Sequence, residues 1–321
     1  LHFSSADIGF AALKASGTTF PSSVLDQARA ADGVILGPVS HNAYPPVAEG
    51  GLNPSGELRK RLDLYANIRP SRTRVSIPAP SRHAFDLIVV RENTEGFYAD
   101  RTMHEGTGEF MPVPDLAMAM RKVTRHASER IARSGFELAM ARRRKLCIVH
   151  KANVLRISDG LFLDAVRKVA QDFPQVVVEE QLVDAMAALL VRDPRPYDVI
   201  VTTNMFGDIL SDEAAELAGG LGLGASLNAG TDHGVAQAAH GSAPSIAGQD
   251  KANPTALIIS AAMLLTWLAG RLNRPEFARA GEAIEKAIDV TLDQPSMRTS
   301  DLGGPLGTKA FTQALIANIK A

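Results

Sequence analysis

Along this chain, short unbroken apolar runs alternate with longer stretches whose apolar residues recur at helical spacing. The runs are Gly33–Pro38, Phe85–Val90, Leu146–Val149, Val176–Glu180 and Val199–Thr203. Their length and β-branched content suit strands buried on both faces. Helical spacing predicts helices over Val24–Ala31, Glu57–Tyr65, Asp115–Met140, Gly160–Asp172, Asp184–Val191, Thr255–Leu268, Glu276–Leu292 and Thr308–Ala321. The Pro-, Gly- and Asn-rich segment Ser40–Gly56 reads as an exposed loop, and residues 99–117 as an arm able to clasp a partner subunit. Strand and helix alternate through the middle third, which predicts an α/β architecture.

Composition narrows the class. The chain has 321 residues, 45% of them hydrophobic and 21% charged, enough for two lobes of an ordinary globular protein. A net charge of −1 argues against nucleic acid or an anionic membrane as the main partner. The apolar stretch Thr255–Ala269 is too short to span a bilayer comfortably. The single cysteine, Cys147, lies in a strand-like run, so no intrachain disulfide forms and a reducing, cytoplasmic location is expected.

The candidate chemistry centres on Asp198–Leu217, where a buried strand gives way to a helix. Asp208 and Asp212 are four residues apart and leave one helix face, just past a strand end. Two hard oxygen donors there suit Mg2+ or Mn2+, although acidic residues in a first helical turn also stabilise the helix dipole. Arg59, Arg69 and Arg91 offer planar forks for carboxylates, or simply solvated surface charge. Lys151 follows the strand Leu146–Val149 and is placed either to act as a base or to reach water. Tyr98 reads locally as a packed aromatic and Asp184 as a helix cap. Gly219–Gly224 ends a helix without the G-x-G-x-x-G spacing of a dinucleotide fold.

Taken together and in order, these segments carry more weight. LRKRLDLYANIRP (58–70), VVRENTEGFY (89–98), VHKANVL (149–155), VDAM (183–186), TTNMFGDILSDEAA (202–215), HGSAP (240–244) and ANPTA (252–256) resemble the β-decarboxylating dehydrogenases. That superfamily includes the isopropylmalate, isocitrate, homoisocitrate and tartrate/malate dehydrogenases. The resemblance implies an isopropylmalate dehydrogenase-like two-domain α/β fold, with a large mixed twisted sheet flanked by helices. Residues 1–64 plus 219–321 would bind the cofactor. Residues 65–218 would hold metal and substrate and form the dimer. Family members begin with a strand and a GDGIGPE turn that this sequence lacks, so a longer natural protein is expected.

The same resemblance assigns roles. Arg59, Arg69 and Arg91 would clamp the substrate carboxylates, with Asn53 and Ser55 beside the C3 substituent. Asp208 and Asp212 would hold Mg2+ or Mn2+ together with Asp184 of a neighbouring subunit, which would also lend Lys151 as the base. The active unit would then be a homodimer with composite sites, and Tyr98 would return a proton to the decarboxylated product. Asn67 and Asn153 would lie near the nicotinamide of NAD. His240, Gly241, Ser242, Ala243, Ser245 and Ile246, with Asn253 and Asp301, would hold the adenosine half.

Two specificities follow. Ser245, Ile246 and Ala252 offer no cation for a 2′-phosphate, which favours NAD over NADP. Asn53, Ser55 and Gly56 would poorly reward an isopropyl group, whose burial could bring ~1.5–3 kcal/mol. A polar or short C3 substituent is therefore expected, as in isocitrate, malate or tartrate. The alternatives are 3-isopropylmalate dehydrogenase proper and a non-catalytic regulatory subunit of a hetero-oligomeric dehydrogenase.

Overall fold

The computed structural model describes residues 1–98 and 108–319. One mixed sheet of eight strands organises them. In chain order its strands are β1 (Val34–Leu36), β2 (Ala66–Arg72), β3 (Asp86–Glu92), β6 (Lys145–His150), β7 (Val177–Leu182), β8 (Val199–Thr202), β9 (Leu227–Ala229) and β10 (Gly234–Gln237). Their spatial order is β1-β10-β9-β2-β3-β8-β6-β7. The half β3-β8-β6-β7 is parallel, whereas β2 pairs antiparallel with both β3 and β9.

The unbroken apolar runs arise from burial on both faces of the parallel half. Ile88, Val90, Leu146, Ile148, Val199 and Val201 pack on one side, against α4 (Arg125–Met140) and α5 (Ser158–Ala170). Leu87, Val89, Cys147, Val149 and Ile200 pack on the other, against α6 (Val183–Arg192) and α7 (Asn204–Leu217). Period-two alternation with both faces covered keeps polar residues out of the middle of β3, β6 and β8 and leaves them at the ends, as with Arg91 and His150. Beyond β2, where β9 and β10 pair antiparallel and β1 joins β10 in parallel, the sheet is covered by α8 (Thr255–Leu272), with α9 (Pro275–Leu292) packed on α8 and α10 (Thr308–Asn318) against α9.

Several expected boundaries shift for local reasons. The helix expected over Glu57–Tyr65 is α3 (Pro54–Arg61), because Asn53 caps it by accepting from the Ser55 and Gly56 amides and Pro54 suits its first position. The helix expected over Asp115–Met140 begins only at Arg125, where Thr124 accepts from the Ala127 amide. Before it, β4 (Glu109–Val113) and β5 (Leu116–Ala119) form a separate antiparallel ribbon with every side chain exposed. The first part of the expected arm, residues 99–107, lies outside the described residues. Two helices near the start, α1 (Gly9–Ser16) and α2 (Ser22–Ala30), complete the described elements, α1 having given no clear sequence signal. Helix α8 runs to Leu272 rather than Leu268, which makes it long and apolar enough to cross a membrane. Its Ile259, Leu264 and Leu268 are instead buried in the protein's own core.

Candidate active site

Strands β2 and β3 and helix α7 bring five of the expected residues together. Asn67 faces Arg91 across the β2–β3 ladder, and Arg69 lies two residues along β2 on the same face. Helix α7 starts directly after β8 and carries Asp208 and Asp212 back toward these strands. Gly207 permits that approach: a Cβ there would sit 2.7 Å from the Cβ and Cγ of Arg91.

Both arginines are buried, and the sheet aims them at the carboxylates. Arg91 Nε donates to the Asn204 carbonyl at 2.9 Å, its Nη2 donates to Asn204 Oδ1 at 2.6 Å, and its Nη1 pairs with Asp208. Arg69 Nη1 donates to Asp212 Oδ1 and to Ser211 Oγ, each at 2.8 Å, and lies 3.2 Å from Asp208 Oδ1. Tyr98 completes the group: its hydroxyl donates to Asp208 Oδ2 at 3.4 Å, and the Arg91 guanidinium lies 5.7 Å from its ring. Burial raises the Asp212 carboxyl above its ordinary range; Arg69 acts against that and Asp208 reinforces it.

Lys151 and Asp184 form a second group. Lys151 leaves the end of β6, Asp184 sits in the first turn of α6, and Lys151 Nζ donates to Asp184 Oδ1 at 2.5 Å. That pairing holds the Asp184 carboxyl below its usual value. Asp184 therefore does more than cap a helix, since Leu182 occupies the cap position. Among the described residues, no three carboxylate, imidazole or thiol side chains converge as a metal would require. The donor set on α7 is all oxygen and chemically apt for Mg2+ or Mn2+, but within one chain only two of the three expected aspartates, Asp208 and Asp212, lie together.

The other expected residues spread around these two groups. Ser55 is buried and donates to Gln237 Oε1 at 2.9 Å, while the Asn53 side-chain oxygen is committed to capping α3. Arg59 is half-buried on α3. Asn67, expected beside a nicotinamide, has a fully buried amide that donates to Ser226 Oγ and Asn228 Oδ1 and accepts from Arg69 Nε at 2.7 Å, so it supports Arg69 from behind. Asn153 is exposed in the turn after Lys151.

The small-residue loop from His240 to Ile246 follows β10 and is largely exposed. A Cβ on Gly241 would meet nothing within 4 Å, so this side of the loop is open. Ser242 is hydrogen-bonded to Ser40 at 2.5 Å, Ala243 takes a left-handed conformation, and Ser245 is exposed. Asn253 donates to Asp301 Oδ2 at 2.9 Å and accepts from the Thr255 amide, placing both residues beside this loop's return into α8. A small cavity lined in part by Arg72, Arg74, Asp86 and Glu285 holds none of the expected residues. Its arginines pair with Asp289 and Glu285, so it is a structural joint between β2 and α9.

Sequence reasoning missed Asn204, Gln237, Arg121 and Asp159. Asn204 stands inside the quoted TTNMFGD segment, where its offset from Asp208 was the available signal. The others touch through folding rather than proximity in sequence.

Comparison with known proteins agrees with this geometry. A family model described as isocitrate/isopropylmalate dehydrogenase matches residues 1–319. An isocitrate/homoisocitrate dehydrogenase of Thermus thermophilus is 43% identical over all of this chain and 90% of its own length. A 3-isopropylmalate dehydrogenase of Methanothermobacter thermautotrophicus is 40% identical, with the same two coverages. The crystal structure of isocitrate dehydrogenase from Methylococcus capsulatus superposes with a TM-score of 0.85 at 38% identity, covering 98% of this chain and 89% of that one.

Proposed function

The chain belongs to the isocitrate/isopropylmalate dehydrogenase family, and we propose that it oxidatively decarboxylates a malate-type 2-hydroxy diacid, using NAD and Mg2+ or Mn2+. The observation that carries this reading is the convergence of Arg69 and Arg91 on Asp208 and Asp212. Buried guanidinium forks beside paired carboxylates suit a ligand that brings its own carboxylates together with a cation.

Asp208 and Asp212 would hold the metal with Asp184 of a second copy. A cation held there would supply Lewis-acid polarisation of the C2 oxygen. NAD supplies the hydride acceptor, held by the loop from His240 to Ile246 with Asn253, Asp301 and Asn153. Arg69 and Arg91, with Arg59, orient the diacid, and positioning of this kind can contribute ~7–11 kcal/mol. Lys151 takes the proton from the C2 hydroxyl, and Tyr98 returns one to C3 after CO2 has left. Asp184 and Lys151 sit apart from the α7 carboxylates, as expected if a second copy lends them across the dimer. The ribbon β4–β5 supports the same assembly: it exposes Phe110, Met111, Val113, Leu116 and Met118, and an isolated two-stranded ribbon is marginal in water.

We assign the cofactor lobe to residues 1–64 with 219–321 and the metal lobe to 65–218. The two buried clusters around β3, β6 and β8 draw only on residues 66–218, which supports that division. The buried pair Ser55–Gln237 favours a substrate with a polar or short C3 substituent, such as isocitrate, homoisocitrate, malate or tartrate. The second reading is 3-isopropylmalate itself, which the 40% identical relative is named for. A cytoplasmic homodimer free of nucleic acid and membrane is the setting we propose. NADH formation by the purified protein with these acids, with and without Mn2+, tests the reading. Turnover of isopropylmalate far above the others would move the substrate. No turnover of any acid would favour a regulatory subunit.

A further inference from the structure

We infer that Arg121 and Asp159 form a brace that positions Lys151 for its part in the reaction, an inference that rests on the reading of Lys151 as the base. Lys151 lies one residue past the last ladder pairs of β6, which are Val149 with Thr202 and His150 with Leu182. Its amide therefore has no strand partner to take it. Asp159 Oδ2 accepts from that amide instead, and the Lys151 carbonyl accepts from the Val154 and Leu155 amides at 3.0 and 2.8 Å. Both backbone polar groups of Lys151 are thereby fixed where regular structure ends.

Asp159 is itself held. Its carboxylate is fully buried, and its other oxygen pairs with Arg121 Nη1. Arg121 is nearly as buried, donating to Ser158 Oγ at 3.0 Å and to Thr203 Oγ1 at 2.9 Å, with its guanidinium 5.3 Å from the Phe206 ring. A fully buried charge is costly unless it is paired and hydrogen-bonded. Here the fold places such a pair against the backbone of a lysine whose side chain has four flexible carbons. Asp159 lies inside the first turn of α5, yet one of its oxygens pairs with Arg121 and the other accepts from the Lys151 amide, both outside that helix.

The test compares three variants of the whole protein. Asp159→Asn keeps an acceptor for the Lys151 amide. The double variant Asp159→Leu with Arg121→Met removes the pair without leaving a lone buried charge. Lys151→Ala sets the level without the base. In the double variant kcat is expected to fall about 10–100-fold, while KM for acid and NAD and the apparent Mn2+ affinity stay within about threefold. Asp159→Asn, which keeps the acceptor but leaves Arg121 unpaired, is expected to lose less kcat than the double variant. An unchanged kcat in the double variant overturns the brace. So does a fall in kcat matched by lost Mn2+ affinity, because Arg121 would then act through Thr203 and α7. If the double variant does not fold, Arg121→Lys, which keeps the charge but loses the planar fork, is read by the same criteria. Full activity in Lys151→Ala would instead remove the base assignment, a different failure from the brace's.

Discussion

Arg69 holds Asp212: its Nη1 donates to Asp212 Oδ1 at 2.8 Å, and the same nitrogen lies 3.2 Å from Asp208 Oδ1. The proposed clamp for a substrate carboxylate and the proposed metal-binding anions are thus joined to each other. A diacid and a divalent cation arriving together exchange both partners at once, whereas either alone leaves a partly buried charge unpaired. Metal and diacid should therefore bind synergistically. Saturating diacid is expected to tighten Mn2+ binding about 5–150-fold, and Mn2+ to tighten the diacid by the same factor. Calorimetric titration in both orders measures this, and independent binding would contradict it.

Gly207 gives a second prediction, on stability. Replacing a helical glycine by alanine ordinarily stabilises by about 1 kcal/mol. Here the new methyl would lie 2.7 Å from Arg91, whose guanidinium is pinned by Asn204 and Asp208 and cannot step aside. Overpacking of this kind costs ~1–3 kcal/mol, so the clash wins. Gly207→Ala should lower Tm and also kcat/KM, because the displaced group is the clamp. A raised Tm would show that α7 is free to move.

The helix α7 and its flanking strand were legible because both signals are local: a β-branched run, then two aspartates one turn apart. The same holds for β3, β6 and β8, whose apolar runs follow directly from burial on two faces. Strands β9 and β10 left no readable signal, since three or four residues such as Leu227–Ala229 cannot establish a period. Leu116–Ala119 misled through its Leu, Met and Ala content, because pairing with β4 overrode helix propensity. The bonds from Asn67 to Ser226 and Asn228 were not legible, because sequence order cannot reveal which distant residues fold against its amide. The brace on Lys151 was invisible for the same reason, with Arg121 and Asp159 lying 38 residues apart.

A pH dependence follows from His150. Burial keeps its imidazole below the ordinary histidine pKa, and its Nδ1 accepts from the Ala152 amide at 3.1 Å. The unfolded chain takes up a proton at about pH 6.5 while the native chain does not. Stability from this site is therefore present above that pH and lost as pH falls through the lower native value. His150→Asn keeps an acceptor but cannot titrate. The parent's Tm should fall more steeply than the variant's below about pH 6.5, and parallel curves would exclude the effect.

Cys147 supplies a chemical check on the core. Desolvation between β8 and β7 pushes its thiol up to about 12, so the thiolate is scarce at neutral pH. Native protein should resist a disulfide-forming thiol reagent for as long as it stays folded, then react once per chain on addition of denaturant. Rapid labelling of the native protein would mean that this face of the sheet opens.

The central claim is that one chain's Lys151 acts on a diacid held at the carboxylates of another chain's α7. Mixing two inactive variants, Lys151→Ala and Asp208→Asn, and letting the subunits exchange tests it directly. A mixed dimer then contains one site with both groups intact and one lacking both. Random pairing is expected to restore about a quarter of the parent's NADH-forming activity. An equimolar mixture that exchanges subunits yet stays inactive would contradict the composite site.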